Sequence, residues 1–341
     1  MKDVHRRAGR ILALVAAGAL SVSPAARAQS DAWSDTSPHR VVRVAVEPDV
    51  GLEVLDWGGT GDAMVFLPGL GNTAHAFDFF APRFRDAYRV YGITPRGFGA
   101  SSHPEDGYDS ATRARDILAV LDSLGIRRAI LVGHSIAGDE LSRFAVEHPE
   151  RVRALVYLDA YSYGTEGFKT TLPQPPPLPR PTMTPADSAS LAGVADYSSR
   201  IYGFRMPEGE ILASSPTPEG GRLPRIGGMP NASGRVLAGT ERSDYAHIRS
   251  PALAIYALDV NPRQLFPRYD AYEALSRERA DSIFSAVRQW QAGQIRRFRE
   301  EVRGGVVVEI PGANHYVHYS NPDQVERVMR DFLARVTGPG E

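Results

Sequence analysis

Residues 129–138 read AILVGHSIAG, an apolar run followed by Gly133, His134 and Ser135 and then by the start of an amphipathic segment. The pattern G-x-S-x-A places small residues two positions before and two positions after the serine. A tight turn from a strand into a helix needs such residues, because the two backbones cross closely there. Such a turn exposes the hydroxyl at the carboxyl end of a sheet, above the free N–H groups of the helix. The stretch therefore predicts a strand, a turn and a helix with Ser135 as the nucleophile; the alternative is a chance match in an ordinary loop.

Short apolar runs recur on both sides of this stretch and predict a sheet of eight strands. From the fourth run onward they are continuous and rich in Val, Ile, Leu and Tyr, as in strands that are covered on both faces. Segments with helical periodicity lie between them, including one capped by Asp109 or Ser110, one from Ser135 to His148 and one over residues 322–336. This alternation indicates an α/β fold with a mainly parallel sheet, helices on both faces and an antiparallel edge formed by the first two strands. The eight runs are residues 41–46, 52–57, 63–67, 88–93, 129–132, 154–158, 252–257 and 306–310.

One region, between the sixth and seventh predicted strands, departs from this alternation of strands and helices. Residues 162–248 are rich in proline and glycine and contain only short helical fragments. An excursion of this length between two strands is more typical of a lid than of an independent domain. The predicted core therefore comprises residues 41–161 and 249–341, with residues 162–248 as a lid insertion and residues 29–40 as a flexible leader.

The first 28 residues have the three parts of a secretory signal peptide. A basic start, with Arg6 and Arg7, precedes an apolar stretch over residues 11–22 and the small-residue end Ala26-Arg27-Ala28. The apolar stretch is shorter than the ~20 residues that span a bilayer. We therefore expect cleavage near Ala28 and a secreted or periplasmic protein without a stable membrane anchor. A buried first helix or a membrane anchor is the alternative.

Charge and composition exclude several classes of function. The chain of 341 residues has 39 basic and 40 acidic side chains, and five of the former but one of the latter lie in residues 1–28, so the exported chain is distinctly acidic. An acidic chain without a basic tract is a poor partner for nucleic acid. The absence of Cys removes disulfides, cysteine nucleophiles and thiolate metal sites.

The chain resembles the α/β-hydrolase fold superfamily over roughly residues 45–337, specifically a serine esterase-like branch with a lid. Besides the serine turn, the matching segments are Leu-Pro-Gly-Leu-Gly at 67–71, Arg-Gly-Phe-Gly-Ala-Ser at 96–101 and Pro-Gly-Ala-Asn-His at 311–315. These motifs occur in the order that the superfamily has. They are specific for the fold and poorly specific for a substrate.

The resemblance implies a catalytic triad in the order nucleophile, acid, histidine. Ser135 would be the nucleophile and His315, between the last strand and the last helix, the base; His318 is its competitor. Asp259, just after the seventh strand, is the acid that the order favours. Asp159, at the end of the sixth strand, is the alternative that some branches of the superfamily use.

The oxyanion hole should consist of the backbone N–H groups of Leu70 and Ile136. Weaker candidates for substrate contact are His134, Tyr161 and Tyr163, although side chains of these types are at least as often plain packing residues. No metal or organic cofactor is implied.

These residues together predict a secreted serine hydrolase that cleaves a carboxylic ester of a small or medium, partly apolar substrate through an acyl-enzyme. A serine nucleophile excludes the branches that use aspartate, namely epoxide hydrolases and haloalkane dehalogenases. Amidase, peptidase, lactonase, thioesterase and carbon–carbon hydrolase activity remain alternatives, because they use the same catalytic groups. A ligand-binding protein of hydrolase fold with negligible turnover is the alternative from a different class.

Overall fold

The computed structural model describes Asp35 and residues 37–164, 180–214 and 232–336. The predicted signal peptide and most of the leader lie outside the described residues, as do two parts of the insertion. Among the described helices, none is both long enough and apolar enough to cross a membrane.

Eight strands form one sheet in the order β1-β2-β4-β3-β5-β6-β7-β8. The pairs β1–β2 and β2–β4 are antiparallel, and every other neighbouring pair is parallel. The predicted fold class and its antiparallel edge are therefore confirmed. The strands are Arg40–Glu47 (β1), Val50–Gly58 (β2), Ala63–Leu67 (β3), Arg89–Ile93 (β4), Ala129–His134 (β5), Val152–Leu158 (β6), Ala252–Leu258 (β7) and Val306–Pro311 (β8).

Helices and short helical turns connect the strands. Asp109 caps the first α-helix, since its side chain accepts a hydrogen bond of 2.8 Å from the N–H of Thr112. The described α-helices are Ser110–Ser123 (α1), Ala137–Glu147 (α2), Leu191–Tyr202 (α3), Glu208–Ala213 (α4), Ala232–Ala238 (α5), Pro262–Leu265 (α6), Ala274–Glu301 (α7), Val317–Ser320 (α8) and Pro322–Val336 (α9).

Strand β5 is buried along its whole length because both faces of the sheet are covered. Ala129 and Leu131 pack on one face, together with apolar side chains of α1, α2 and α7. Ile130 and Val132 point to the opposite face, where they pack with α9 and with the short helical turns that follow β3. Continuous apolar sequence in this strand follows directly from this two-sided burial.

The insertion between β6 and β7 contains helices α3, α4 and α5 in its described part. Helix α4 packs on the 3-10 turn Ala74–Phe77 that follows β3. Its buried Glu210 accepts a hydrogen bond of 2.9 Å from the Asn72 side chain. This contact anchors the insertion to the loop after β3, and the prediction that the insertion is a lid stays a prediction.

Candidate active site

Ser135 lies directly after β5, in the turn that leads into α2. Its φ of 54° is in the left-handed region, which is uncommon for a residue with a side chain and marks a backbone held under strain. Gly133 is needed beneath the turn, because a Cβ at that position would lie 3.1 Å from the Cβ of Ala137. The small residues of the sequence pattern thus allow the strand and the helix to cross closely.

His315 lies in the loop between β8 and α8 and faces the serine. Its Nε2 is 3.0 Å from the Oγ of Ser135, within hydrogen-bond distance. The imidazole is 42% exposed, so it is open on the side from which a substrate would approach. The hydroxyl of Tyr163 is a second neighbour of the serine, 3.2 Å from the same Oγ.

Asp159 completes the hydrogen-bonded chain from the opposite side of the imidazole. Its Oδ2 is 2.6 Å from His315 Nδ1, and its Oδ1 accepts hydrogen bonds from the Tyr161 hydroxyl at 2.6 Å and the Ala257 N–H at 2.9 Å. Like Ser135, Asp159 has a positive φ, here 44°. A buried carboxylate with three donors is held in one orientation, and it can orient the imidazole in turn.

Asp259 does not contact the histidine, which corrects the expectation drawn from strand order. Among the described residues, no hydrogen bond joins Asp259 to His315. The Asp259 side chain instead accepts a hydrogen bond from Gln291, and its backbone carbonyl accepts one from Arg288. Burial, followed by repulsion from the Asp159 carboxylate, raises the pKa of Asp259 to about 6. Asp159 occupies the place beside the imidazole, because β6 ends next to β5 and its left-handed turn directs the carboxylate to Nδ1.

His318, the competing candidate for the base, is buried away from the serine. Its ring packs against Phe77 and Tyr319, and neither ring nitrogen has a hydrogen-bond partner. Burial, with a smaller contribution from nearby His315, lowers the pKa of His318 to about 3, so the ring is neutral at ordinary pH. The geometry thus places His315, and not His318, next to the nucleophile.

The two backbone groups expected in the oxyanion hole flank the serine. Ile136 follows it at the start of α2, with helical φ and ψ of −56° and −26°. The loop that carries Leu70 passes close by, since a Cβ on Gly69 would lie 3.3 Å from the Cβ of Ser135. Neither N–H is among the backbone groups that are hydrogen-bonded in the described turns and loops.

The three weaker candidates lie around the triad in different roles. His134 is buried, its Nε2 lies 3.1 Å from the backbone carbonyl of His315, and burial holds its pKa well below the ordinary value. Tyr161 holds Asp159, and Tyr163 contacts Ser135. The sequence predicts both tyrosines only as possible pocket residues; their positions three and five residues after the end of β6 are the only signal that they lie beside the catalytic groups.

The comparison with known families agrees with this geometry. The sequence model described as "Alpha/beta hydrolase family" matches residues 64–328, which include Ser135, Asp159 and His315. The chain belongs to this family. Several relatives that match along the sequence are named as hydrolases, which supports hydrolase activity in addition to the shared fold.

Two relatives show the extent of the similarity. A 2-(acetamidomethylene)succinate hydrolase of Mesorhizobium japonicum is 27% identical over 277 residues, which cover 81% of this chain and 89% of that protein. A 2-hydroxymuconate semialdehyde hydrolase of Pseudomonas putida is 32% identical over 145 residues, or 38% of this chain and 52% of that protein.

Solved structures share the fold at lower identity. A crystal structure of E-2-(acetamidomethylene)succinate hydrolase superposes with a TM-score of 0.60 at 21% identity, covering 86% of this chain and 99% of the other. Est816, described as an N-acyl homoserine lactone degrading enzyme, gives a TM-score of 0.54 at 20% identity over 85% of this chain and 100% of its own.

Proposed function

We propose that the protein is a serine hydrolase that cleaves a carboxylic ester through an acyl-enzyme. One observation carries the proposal: His315 lies 3.0 Å from the Ser135 hydroxyl and 2.6 Å from the Asp159 carboxylate, on opposite ring nitrogens. A nucleophile, a base and an acid within hydrogen-bond distance of one another are the combination that activates a serine hydroxyl.

The reaction uses each group of the triad in turn. Ser135 Oγ attacks the ester carbonyl carbon while His315 Nε2 takes the hydroxyl proton, and Asp159 stabilises the imidazolium. The C–O bond then breaks, the proton passes from His315 to the leaving alcohol, and an acyl-serine ester remains. Water, deprotonated by His315, attacks this ester, and the carboxylic acid leaves as the serine recovers its proton.

The negative charge of the tetrahedral intermediate needs donors that are already in place. The N–H groups of Leu70 and Ile136 would bind the oxyanion, with the α2 N-terminus beneath Ser135 adding a favourable dipole. Losing one such donor costs about 3 kcal/mol of transition-state stabilisation in comparable enzymes. Gly69 supports this arrangement, because a side chain there would meet the His134 ring at 2.7 Å.

We expect a small or medium substrate, because the insertion is anchored beside the loop that carries Leu70. A second candidate reaction follows from the relative in Mesorhizobium japonicum, which matches most of this chain and is named for hydrolysis of 2-(acetamidomethylene)succinate. The same triad would serve either substrate, since both reactions need an activated nucleophile and an oxyanion hole. We further propose that the protein acts outside the cytoplasm, on the strength of the three-part signal in residues 1–28.

A substrate panel tests the proposed reaction. Short-chain p-nitrophenyl esters, lactones, thioesters, simple amides and 2-(acetamidomethylene)succinate are offered to the purified protein and to Ser135→Ala. We expect hydrolysis of the esters by the native protein and none above background by the variant. Hydrolysis of the succinate derivative alone would assign the second candidate reaction. Binding without turnover of any compound would overturn the enzymatic proposal in favour of a ligand-binding protein.

A further inference from the structure

Four side chains that can ligate a metal converge outside the catalytic triad. Asp35 and His39 precede β1, whereas His75 and Asp78 lie in and just after the 3-10 turn that follows β3. One ligating atom from each residue can be chosen so that all four lie within 4.8 Å of one another. We call these four residues the His₂Asp₂ cluster. No step of ester hydrolysis uses them.

Two separations within the cluster are close to those of a tetrahedral metal site, and the two that involve His39 are longer. His75 Nδ1 lies 3.2 Å from Asp35 Oδ2 and 3.0 Å from Asp78 Oδ2. His39 approaches with both ring nitrogens: Nε2 lies 3.8 Å from Asp35 Oδ2, and Nδ1 lies 3.7 Å from Asp78 Oδ1. Zinc binds nitrogen and oxygen ligands at about 2.0–2.1 Å, which puts neighbouring ligands of a tetrahedron roughly 3.3 Å apart. His39 would have to move inward and direct one ring nitrogen at the ion to supply the fourth ligand.

Two buried atoms of the cluster have no hydrogen-bond partner, which points to a missing ligand. They are Nδ1 of His39, whose side chain is 91% buried, and Oδ2 of Asp35; each lies within ion-pair distance of another group of the cluster but in no hydrogen-bond geometry. His75 Nδ1 is hydrogen-bonded to Asp78 at 3.0 Å and lies 3.2 Å from Asp35, so a single N–H faces two carboxylates. Leaving a buried polar atom unpaired costs about 1–3 kcal/mol. A cation at this position would be bound by both carboxylates and by His39 at the same time.

A neighbouring group holds one of the ligands by a hydrogen bond, and a carboxylate lies near a second ligand. Trp57 Nε1 donates to Asp78 Oδ1 at 2.9 Å, which leaves Oδ2 turned into the cluster. On the far side of His75, Nε2 faces Glu53 Oε1 at 3.9 Å, so a carboxylate lies behind the ring. A ligating histidine is commonly oriented by a carboxylate on its second nitrogen, and a ligating carboxylate by a hydrogen bond.

We propose that Asp35, His39, His75 and Asp78 bind one zinc ion. Two imidazoles and two carboxylates form a tetrahedral nitrogen–oxygen set that suits this metal, and the site lacks the six oxygen ligands that calcium or magnesium prefers. The positive charge of the ion would also offset negative charge on the two ligating carboxylates and on Glu53, which lie close to one another around His75.

The ion would join three parts of the chain. Asp35 and His39 come from the leader, His75 and Asp78 from the core, and Gly209 of α4 closes over the cluster. A Cβ at position 209 would lie 2.6 Å from both aspartate oxygens, so only glycine lets the insertion approach this closely. A cavity of about 490 Å³, lined in part by Asp35, Glu53, His75 and Gly209, provides a route for the ion. The zinc is therefore a structural ion that fastens the leader and the insertion to the core.

Zinc binding by the purified protein tests the proposal. The protein is stripped with a chelator and titrated with Zn²⁺ in competition with a chromophoric chelator, and bound metal is counted by plasma mass spectrometry. The test variant is Asp35→Asn/His39→Ala, which changes the two ligands outside the core. The matched control is Asp244→Asn/His247→Ala, which alters an exposed Asp–His pair at 2.7 Å elsewhere.

We expect one zinc per native chain, an affinity at least about 100-fold weaker in the test variant, and no change in the control. Zinc should raise the melting temperature of the native protein and of the control only. Cobalt(II) in the native protein should give the strong visible absorption of a tetrahedral site. Substoichiometric zinc, equal affinity in the native protein and the test variant, or an octahedral cobalt spectrum would each overturn the proposal, whatever the result with esters.

Discussion

His315 Nδ1 lies 2.6 Å from Oδ2 of Asp159, the aspartate that follows β6. Among the described residues, no hydrogen bond joins His315 to Asp259, the aspartate that follows β7. Tyr161 and the backbone of Ala257 donate to the other oxygen of the same carboxylate. The imidazole is thus oriented by a buried, fully hydrogen-bonded group. The role of each acid in catalysis follows from this pairing.

Replacing Asp159 with Asn should nearly abolish turnover. The amide cannot stabilise the imidazolium and favours the wrong tautomer of His315, a change that lowers kcat by about 10⁴-fold in Ser-His-Asp triads. The measurement is steady-state hydrolysis of a p-nitrophenyl ester by Asp159→Asn and by the native protein, with circular dichroism to establish that the variant is folded.

Asp259→Asn is the matched control, since it removes a neighbouring buried carboxylate that does not contact the imidazole. We expect kcat to stay within about tenfold of the native value, a difference of roughly 1.4 kcal/mol in the barrier. If Asp259→Asn is the more damaging of the two changes, Asp259 is the acid and the pairing seen here is not the working one.

The sequence predicted the nucleophile and its setting because short-range geometry dictates them. Gly133, Ser135 and Ala137 are close in sequence, and only small residues allow the strand and the helix to cross there. The choice between Asp159 and Asp259 depends on distant groups. Both follow neighbouring parallel strands and reach the same edge of the sheet, and the left-handed φ of Asp159 and its donors select between them.

The His₂Asp₂ cluster shows a second limit of sequence reasoning. Asp35 and His39 are four residues apart in a polar leader, and His75 and Asp78 follow β3 some 35 residues later. Neither pair has the spacing of a known metal motif. The two pairs meet only because β1, which follows the first pair, and β3, which precedes the second, both join the same sheet.

Arg96 should be essential for stability although it lies outside the triad. This buried side chain donates to both oxygens of Asp116, at 2.7 and 2.6 Å. Arg96→Leu leaves the Asp116 carboxylate buried without its cation, which should lower the free energy of unfolding by about 3–5 kcal/mol. Urea denaturation followed by circular dichroism measures this loss.

The double variant Arg96→Leu/Asp116→Leu separates the charge effect from the loss of packing. Because it removes both charges, it should be more stable than Arg96→Leu alone. The double variant could instead lose as much unfolding free energy as Arg96→Leu and Asp116→Leu lose when their separate losses are added. That result would mean that packing of the arginine side chain, and not its charge, dominates.

His318 should make the fold sensitive to acid. Its pKa is about 6.5 in the unfolded chain and is lowered to about 3 in the fold by burial, so the unfolded state binds more protons between these values. The contribution of neutral His318 to the free energy of unfolding is complete above pH 6.5 and is lost as the pH falls toward 3. Between pH 7 and pH 5 it amounts to at most about 2 kcal/mol.

His318→Phe keeps a ring in the same aromatic surroundings and removes the titration. We expect the free energy of unfolding of this variant to fall by less than that of the native protein between pH 7 and pH 5, measured by urea denaturation at both values. Equal losses in the two proteins would show that His318 is readily protonated in the fold.

The most direct test of the proposed serine chemistry is covalent labelling with a fluorophosphonate. The reagent is attacked by an activated serine hydroxyl, with loss of fluoride, and leaves a stable phosphonyl ester that mass spectrometry can locate. We expect one adduct per chain on Ser135 in the native protein, a much slower reaction in His315→Ala and in Asp159→Asn, and no adduct in Ser135→Ala. A folded native protein that remains unlabelled at Ser135, or is labelled equally fast after His315→Ala, would contradict the account.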